Sequence, residues 1–238
     1  MKRRIKQNRW RLIAVILCLV FPGTGFCLKE AALDKVKKAE AAEPELKLGE
    51  LLDKIEAGYR TAGFSADFTQ TSTLKAMDIT DEAAGHAVFK RPGKMRWEYE
   101  TPERQQIITD GKNLWIYRLD DNQVTVGTFP AFFGDGKGAS FLSDMQLLRK
   151  KFHILLMGRN DGGDYILELK PMEANPDIVQ IRLTVSQKTF FVYRIITFNS
   201  YGDETRIELT GIEPREQLDD AMFTFTVPDQ AEVVQLNE

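Results

Sequence analysis

The chain has 238 residues, 43% of them apolar and 10% aromatic, with 32 basic against 35 acidic side chains. That length is enough for one domain whose core needs neither a disulfide nor a metal to hold it. The acidic balance gives no electrostatic reason to bind nucleic acid or an anionic membrane surface.

The first residues read as separate from that domain. Six basic side chains (Lys2, Arg3, Arg4, Lys6, Arg9, Arg11) precede an unbroken apolar run over 12–21, followed by Pro22, Gly23, Thr24 and Gly25. This is the order of a secretory signal, with an apolar run too short for a membrane span. Residues 1–26 are therefore predicted to be a signal peptide and the mature chain to be exported. Removing those six basic residues leaves 26 basic against 35 acidic, a formal charge of about −9. Cys18 and Cys27 lie in or beside the leader, so the mature domain holds no disulfide. Cys27 leaves two readings open: ordinary cleavage nearby, or a lipid attachment site. Against the second stand Phe26 immediately before it and Thr24 three before, where such a signal wants a small and an aliphatic residue.

Residues 27–45, rich in Ala, Glu and Lys, form a charged linker with little to bury. The domain proper is placed at 46–238. Leu48, Leu51, Leu52, Ile55 and Tyr59 recur at helical spacing and Gly63 closes the segment, predicting an amphipathic helix over 46–61. Phe64, Ala66 and Phe68 then alternate with Ser65, Asp67 and Thr69, and a second strand is predicted over 84–91. In 89–117 the strands are short and tightly connected. Met95, Trp97 and Tyr99 alternate with Lys94, Arg96 and Glu98, Pro92-Gly93 and Asp110-Gly111 make turns, and the pattern is that of a half-buried antiparallel sheet.

Arg91 falls by parity on the apolar side, with Phe89 and Ala87. It is either a strand-end arginine snorkelling its head to water or a buried clasp whose donors need partners. Residues 129–149 interrupt the strands with FPAFFGDGKGAS and FLSDMQLLRK. The order GxxxxGK[ST] is absent, so the loop is not read as a phosphate cradle but as an aromatic cover with a short helix carrying Phe141, Met145 and Leu148. Further strands are predicted over 152–157, 165–169, 179–185, 190–198, 206–212 and 223–227, the last stopped by Pro228.

Catalytic chemistry is scarce. His86 and His153 are the only histidines and have no metal-spaced neighbour; there is no nucleophile elbow, calcium loop or mature-domain cysteine nucleophile. No catalytic residue, metal or cofactor is assigned, and the chain is not read as an enzyme. A strand-rich domain with 15 Phe, 6 Tyr and 3 Trp but only two helical segments can leave a hollow suited to an apolar ligand.

The segments FSADFTQT (64–71), FKRPGKMRWEY (89–99), DGKNLWIY (110–117) and FTFTVP (223–228), in that order, resemble the LolA family of periplasmic outer-membrane lipoprotein carriers over about 46–234. The resemblance implies a mainly β (α+β) fold: an unclosed antiparallel β half-barrel of about eleven strands under a lid of short helices. It implies that Arg91 clasps the lid through lid backbone carbonyls, the lid being 46–61 with 129–149. It further implies a periplasmic monomer that takes acylated lipoproteins from an inner-membrane lipoprotein-releasing ABC transporter toward the outer membrane, where a separate acceptor can receive them. Parity assigns the acyl-chain cavity to Phe64, Phe68, Phe89, Met95, Trp97, Tyr99, Leu114, Ile116, Phe141, Leu142, Met145, Ile181 and Leu183. Two alternatives stay open: a lipid-anchored LolB-like acceptor, which needs Cys27 to carry lipid, and a half-barrel sensor domain that binds a partner or free lipid.

Overall fold

The computed structural model describes residues 46–129 and 137–236. The predicted leader, the linker and Cys27 lie outside them, as does part of the loop predicted over 129–149. Helix α1 (Leu48–Gly58) opens the domain, and the Glu50 side chain accepts from the Lys47 backbone N–H at 3.1 Å at its start. Its apolar stripe, Leu51, Leu52 and Ile55, is buried against the sheet, and the Tyr59 hydroxyl just beyond accepts from the Val192 N–H at 3.1 Å.

The sheet has twelve strands: β1 (Gly63–Leu74), β2 (Ile79–Lys90), β3 (Lys94–Thr101), β4 (Gln105–Asp110), β5 (Asn113–Arg118), β6 (Gln123–Thr128), β7 (Phe152–Arg159), β8 (Tyr165–Pro171), β9 (Gln180–Val185), β10 (Val192–Phe198), β11 (Glu204–Arg215) and β12 (Glu232–Gln235). The meanders β1 to β6 and β7 to β11 are joined where β1 pairs β11. β7 and β12 stand at the two ends, so the sheet is not closed. A 3₁₀ segment, η1 (Lys137–Ser143), and a short helix, α2 (Gln146–Lys151), connect β6 to β7.

Alternation sorts the side chains onto two faces. On β1, Phe64, Ala66 and Phe68 are buried on the inner face, the one α1 covers, while Asp67 and Thr69 are exposed. The register Phe64↔Phe89 stacks those two rings with centroids 4.5 Å apart. Gly85 sits where a Cβ would come within 1.9 Å of the Glu98 carbonyl oxygen, so only glycine permits this approach of β2 to β3.

The C-terminal segment differs from its predicted form. Residues 223–227 pair with no strand. Phe223 ends a second 3₁₀ turn, η2 (Asp220–Phe223), and is fully buried, while the last strand is β12, laid parallel to β6. The reason lies on the outer face, where Val88, Ile108 and Val124 need cover. Phe223 supplies it from the end of η2, which rests on β3 and β4, and Phe225 packs its ring 5.5 Å from that of Tyr117 and 6.3 Å from that of Trp115. Lys90 and Lys94 both donate to Asp220, and Arg96 donates to the Met222 carbonyl at 3.3 Å, tying this segment across β2 and β3.

Candidate binding site beneath the helical lid

All thirteen residues assigned to the cavity meet in one hydrophobic cluster. Eleven are buried; Tyr99 and Ile116 are half-buried at its margin. β1, β2 and β3 supply a connected aromatic floor: Phe68 meets Trp97 edge-on at 4.9 Å and Tyr99 at 4.9 Å, and Phe89 meets Trp97 at 5.2 Å. β5 and β9 complete the walls with Leu114, Ile116, Ile181 and Leu183.

The roof is made of Leu51, Leu52 and Ile55 from α1 and of Phe141 and Leu142 from η1. These side chains occupy the space that the sequence suggested as a hollow. An empty apolar cavity of about 500 Å³, at about 24 cal/mol per Å³, would cost about 12 kcal/mol, as much as a domain's whole stability. Roof side chains packed into the space avoid that cost. A cleft of about 480 Å³ remains at the lid margin, bordered by Arg60, Thr61, Ala62, Arg91, Asp144 and Met145 among others.

The turn after β2 holds both parts of this roof. Arg91 donates from Nη2 to the Thr61 carbonyl at 2.6 Å and from Nε to the same oxygen at 3.2 Å. Its backbone N–H donates to the Ala62 carbonyl at 3.0 Å, and the Gly93 N–H donates to the Ser143 carbonyl at 3.3 Å. One turn thus grips the exit of α1 and the end of η1. Burial pulls the Arg91 guanidinium below its usual pKa and the charge of Asp144 opposes the shift; the group stays cationic. Arg149 adds a second tie by donating to Asp53 and Glu56 on α1. Neither Arg149 nor the Thr61 carbonyl was picked out by the sequence, since the former sits in a basic run and the latter is backbone.

Two polar groups lie in this apolar setting. Burial pushes the Tyr99 hydroxyl up to about 12, so it remains protonated and donates to Gln70 Oε1 at 3.0 Å. The Trp97 indole Nε1, in contrast, is buried with no hydrogen-bond partner among the described residues. His86 instead pairs with Asp67 at 2.9 Å on the exposed side of β1 and β2. Among the described residues no group of three or more His, Cys, Asp or Glu is placed to hold a metal ion, and no helix is long and apolar enough to cross a membrane.

Residues 60–226 match the family model described as "Outer membrane lipoprotein carrier protein LolA". A protein of Nitrosospira multiformis named outer-membrane lipoprotein carrier protein is 31% identical over 170 residues, 71% of this chain and 80% of that one. Its namesake in Neisseria meningitidis serogroup B is 32% identical over 174 residues, covering 72% of this chain and 80% of its own. Among solved structures, an uncharacterised conserved protein of Thermus thermophilus superposes with a TM-score of 0.51 at 16% identity, over 79% of this chain and 98% of that one, a likeness of fold alone.

Proposed function

We propose, from the premise that this chain belongs to the LolA family of outer membrane lipoprotein carrier proteins, that its domain shelters the acyl chains of lipoproteins in the space its own lid now fills. The observation that carries this reading is the single cluster in which the floor of β1 to β3 meets the roof of α1 and η1. A lid rather than a fixed core is what a carrier needs, because its load must enter and leave without unfolding the sheet.

The energetics support exchange in both directions. Lifting Leu51, Leu52, Ile55, Phe141 and Leu142 out of the sheet forfeits about 2 kcal/mol each, roughly 10 kcal/mol in all. An acyl chain of about sixteen carbons gains roughly 13 kcal/mol on leaving water. The two terms nearly cancel, so lid and ligand are competitors of similar strength for one site. Arg91 tips the balance toward the closed, empty form through its hydrogen bonds to the Thr61 carbonyl at the exit of α1. Loading then requires a donor that presents the lipid while the lid is open, and release is assisted by the lid's return.

On this reading the cargo is acylated lipoprotein, received in the periplasm from an inner-membrane releasing transporter and delivered toward the outer membrane by a monomer exported through the 1–26 leader. Titrating the protein with an acylated peptide tests it: Trp97 fluorescence should change saturably, whereas the unacylated peptide should have no effect. Saturating acylated peptide without any spectral or calorimetric response would end the proposal.

A further inference from the structure

We infer that the Trp97 indole N–H is the site's polar recognition element: it donates a hydrogen bond to a carbonyl oxygen of the cargo's acyl group, so the site distinguishes acylated from merely alkylated ligands. This inference rests on the carrier reading and adds the chemical class that the site prefers.

Trp97 lies on β3 between Ala87 of β2 and Ile107 of β4, and its exposure is 2%. Its two aromatic neighbours, Phe68 and Phe89, carry no acceptor and meet it edge-on, so at most a weak contact to a π face is available. The half-buried Tyr99 hydroxyl is already committed to Gln70. The indole is the one side chain among the described residues with a buried nitrogen or oxygen left unpaired. Leaving a buried donor without an acceptor is unfavourable, and phenylalanine would fill an apolar floor without that penalty.

The position explains what the donor is for. η1 rests against β2 and β3, the strands that carry Phe89 and Trp97. A ligand that displaces Phe141 and Leu142 therefore enters beside the indole. A hydrocarbon tail offers it nothing, but the carbonyl of an acyl ester or amide offers a strong acceptor. The unpaired donor destabilises the closed, empty state and is relieved in the loaded one, which raises affinity for acyl groups without enlarging the apolar surface. A site built to satisfy a buried donor rejects the analogue that lacks the acceptor, because the donor is then stranded in the complex.

The test uses two peptides that carry the same lipid chains, one through ester linkages and one through ethers, and a third acylated only through an N-terminal amide. The wild-type chain should bind the ester form about tenfold tighter than the ether form, or about 1.4 kcal/mol. Trp97→Phe should bind both alike, at the ether level. The amide peptide reports how broad the recognition is: retained dependence on Trp97 shows that an amide carbonyl serves as well as an ester, and lost dependence confines the donor to the ester. Equal binding of ester and ether by the wild type, or discrimination that survives in Trp97→Phe, overturns the inference. Failure of every lipidated peptide to bind the wild type overturns the carrier reading itself, a distinct outcome.

A second measurement requires no variant of Trp97. In ¹H–¹⁵N spectra of the mature chain, which retains Trp97 and Trp115, with Trp115 assigned by Trp115→Phe, the remaining indole N–H should resonate as a free donor in the empty protein. It should shift downfield with the ester peptide but not with the ether. An indole already hydrogen-bonded in the empty protein contradicts the inference.

Discussion

Arg91→Leu keeps an apolar stem beneath the lid and removes both hydrogen bonds to the Thr61 carbonyl. A charge-assisted interaction of this kind contributes about 1.5–3 kcal/mol, less whatever was spent in desolvating the half-buried guanidinium. A net loss of about 2 kcal/mol raises the lid-opening equilibrium roughly thirtyfold. The inner core is untouched, so the variant should stay folded. Because the closed, empty form is the state that ligand binding must disrupt, the variant should bind an acylated peptide more tightly, by up to thirtyfold, and release it to an acceptor membrane correspondingly more slowly. Hydrogen exchange of the α1 amides in the empty protein should accelerate in parallel. Arg91→Lys retains a point charge but not the forked donor and should fall between the two. Unchanged exchange of α1 together with unchanged affinity and transfer would refute the role of Arg91 as a clasp and leave it an ordinary strand-end arginine.

Two further predictions concern the outer face, which the account keeps separate from binding. Phe223→Ala should destabilise the domain by about 3–5 kcal/mol, read as a lower denaturant midpoint, while leaving the affinity of acylated peptide unchanged, since Phe223 packs opposite the lid. Hydrogen bonds from Lys90 and Lys94 hold the Asp220 carboxyl down at about 2. A carboxyl whose folded pKa lies below its unfolded value of about 3.9 stabilises the folded state above that value and loses the effect as pH falls through about 2. Protection of the Met222 and Thr224 amides of the η2 segment should therefore decline between about pH 4 and pH 2, and Asp220→Asn should remove this component of the decline.

The inner face was legible because its residues alternate cleanly. Phe64, Ala66 and Phe68, then Met95 and Trp97, are apolar against charged or hydroxylated neighbours, and the structure buries the apolar set. Where both faces of a strand are wet, the contrast fades. The strands predicted at 64–71 and 84–91 extend to Leu74 and begin at Ile79, and their outer portions, Thr71 to Glu82, are half-buried or exposed throughout. β12 is exposed at all four positions and has no pattern to find. FTFTV at 223–227 has the alternation of a strand, but its phenylalanines serve as a strap over Ile108, Trp115 and Tyr117 instead of joining a ladder. Arg91 was picked out, but which groups accept in these ties escaped sequence reasoning for another reason: Thr61, Ala62 and Ser143 act through carbonyl oxygens that every residue possesses.

The space beneath the lid is the centre of the account, and photolabelling addresses it directly. A lipopeptide carrying a diazirine in the distal half of its acyl chain should, after irradiation and digestion, label the peptides that hold Phe64, Phe68, Met95 and Leu183, and lose that labelling to an unlabelled competitor. Saturable labelling confined instead to exposed tips such as Met77 and Tyr201 would place the lipid on the surface and contradict a sheltered site.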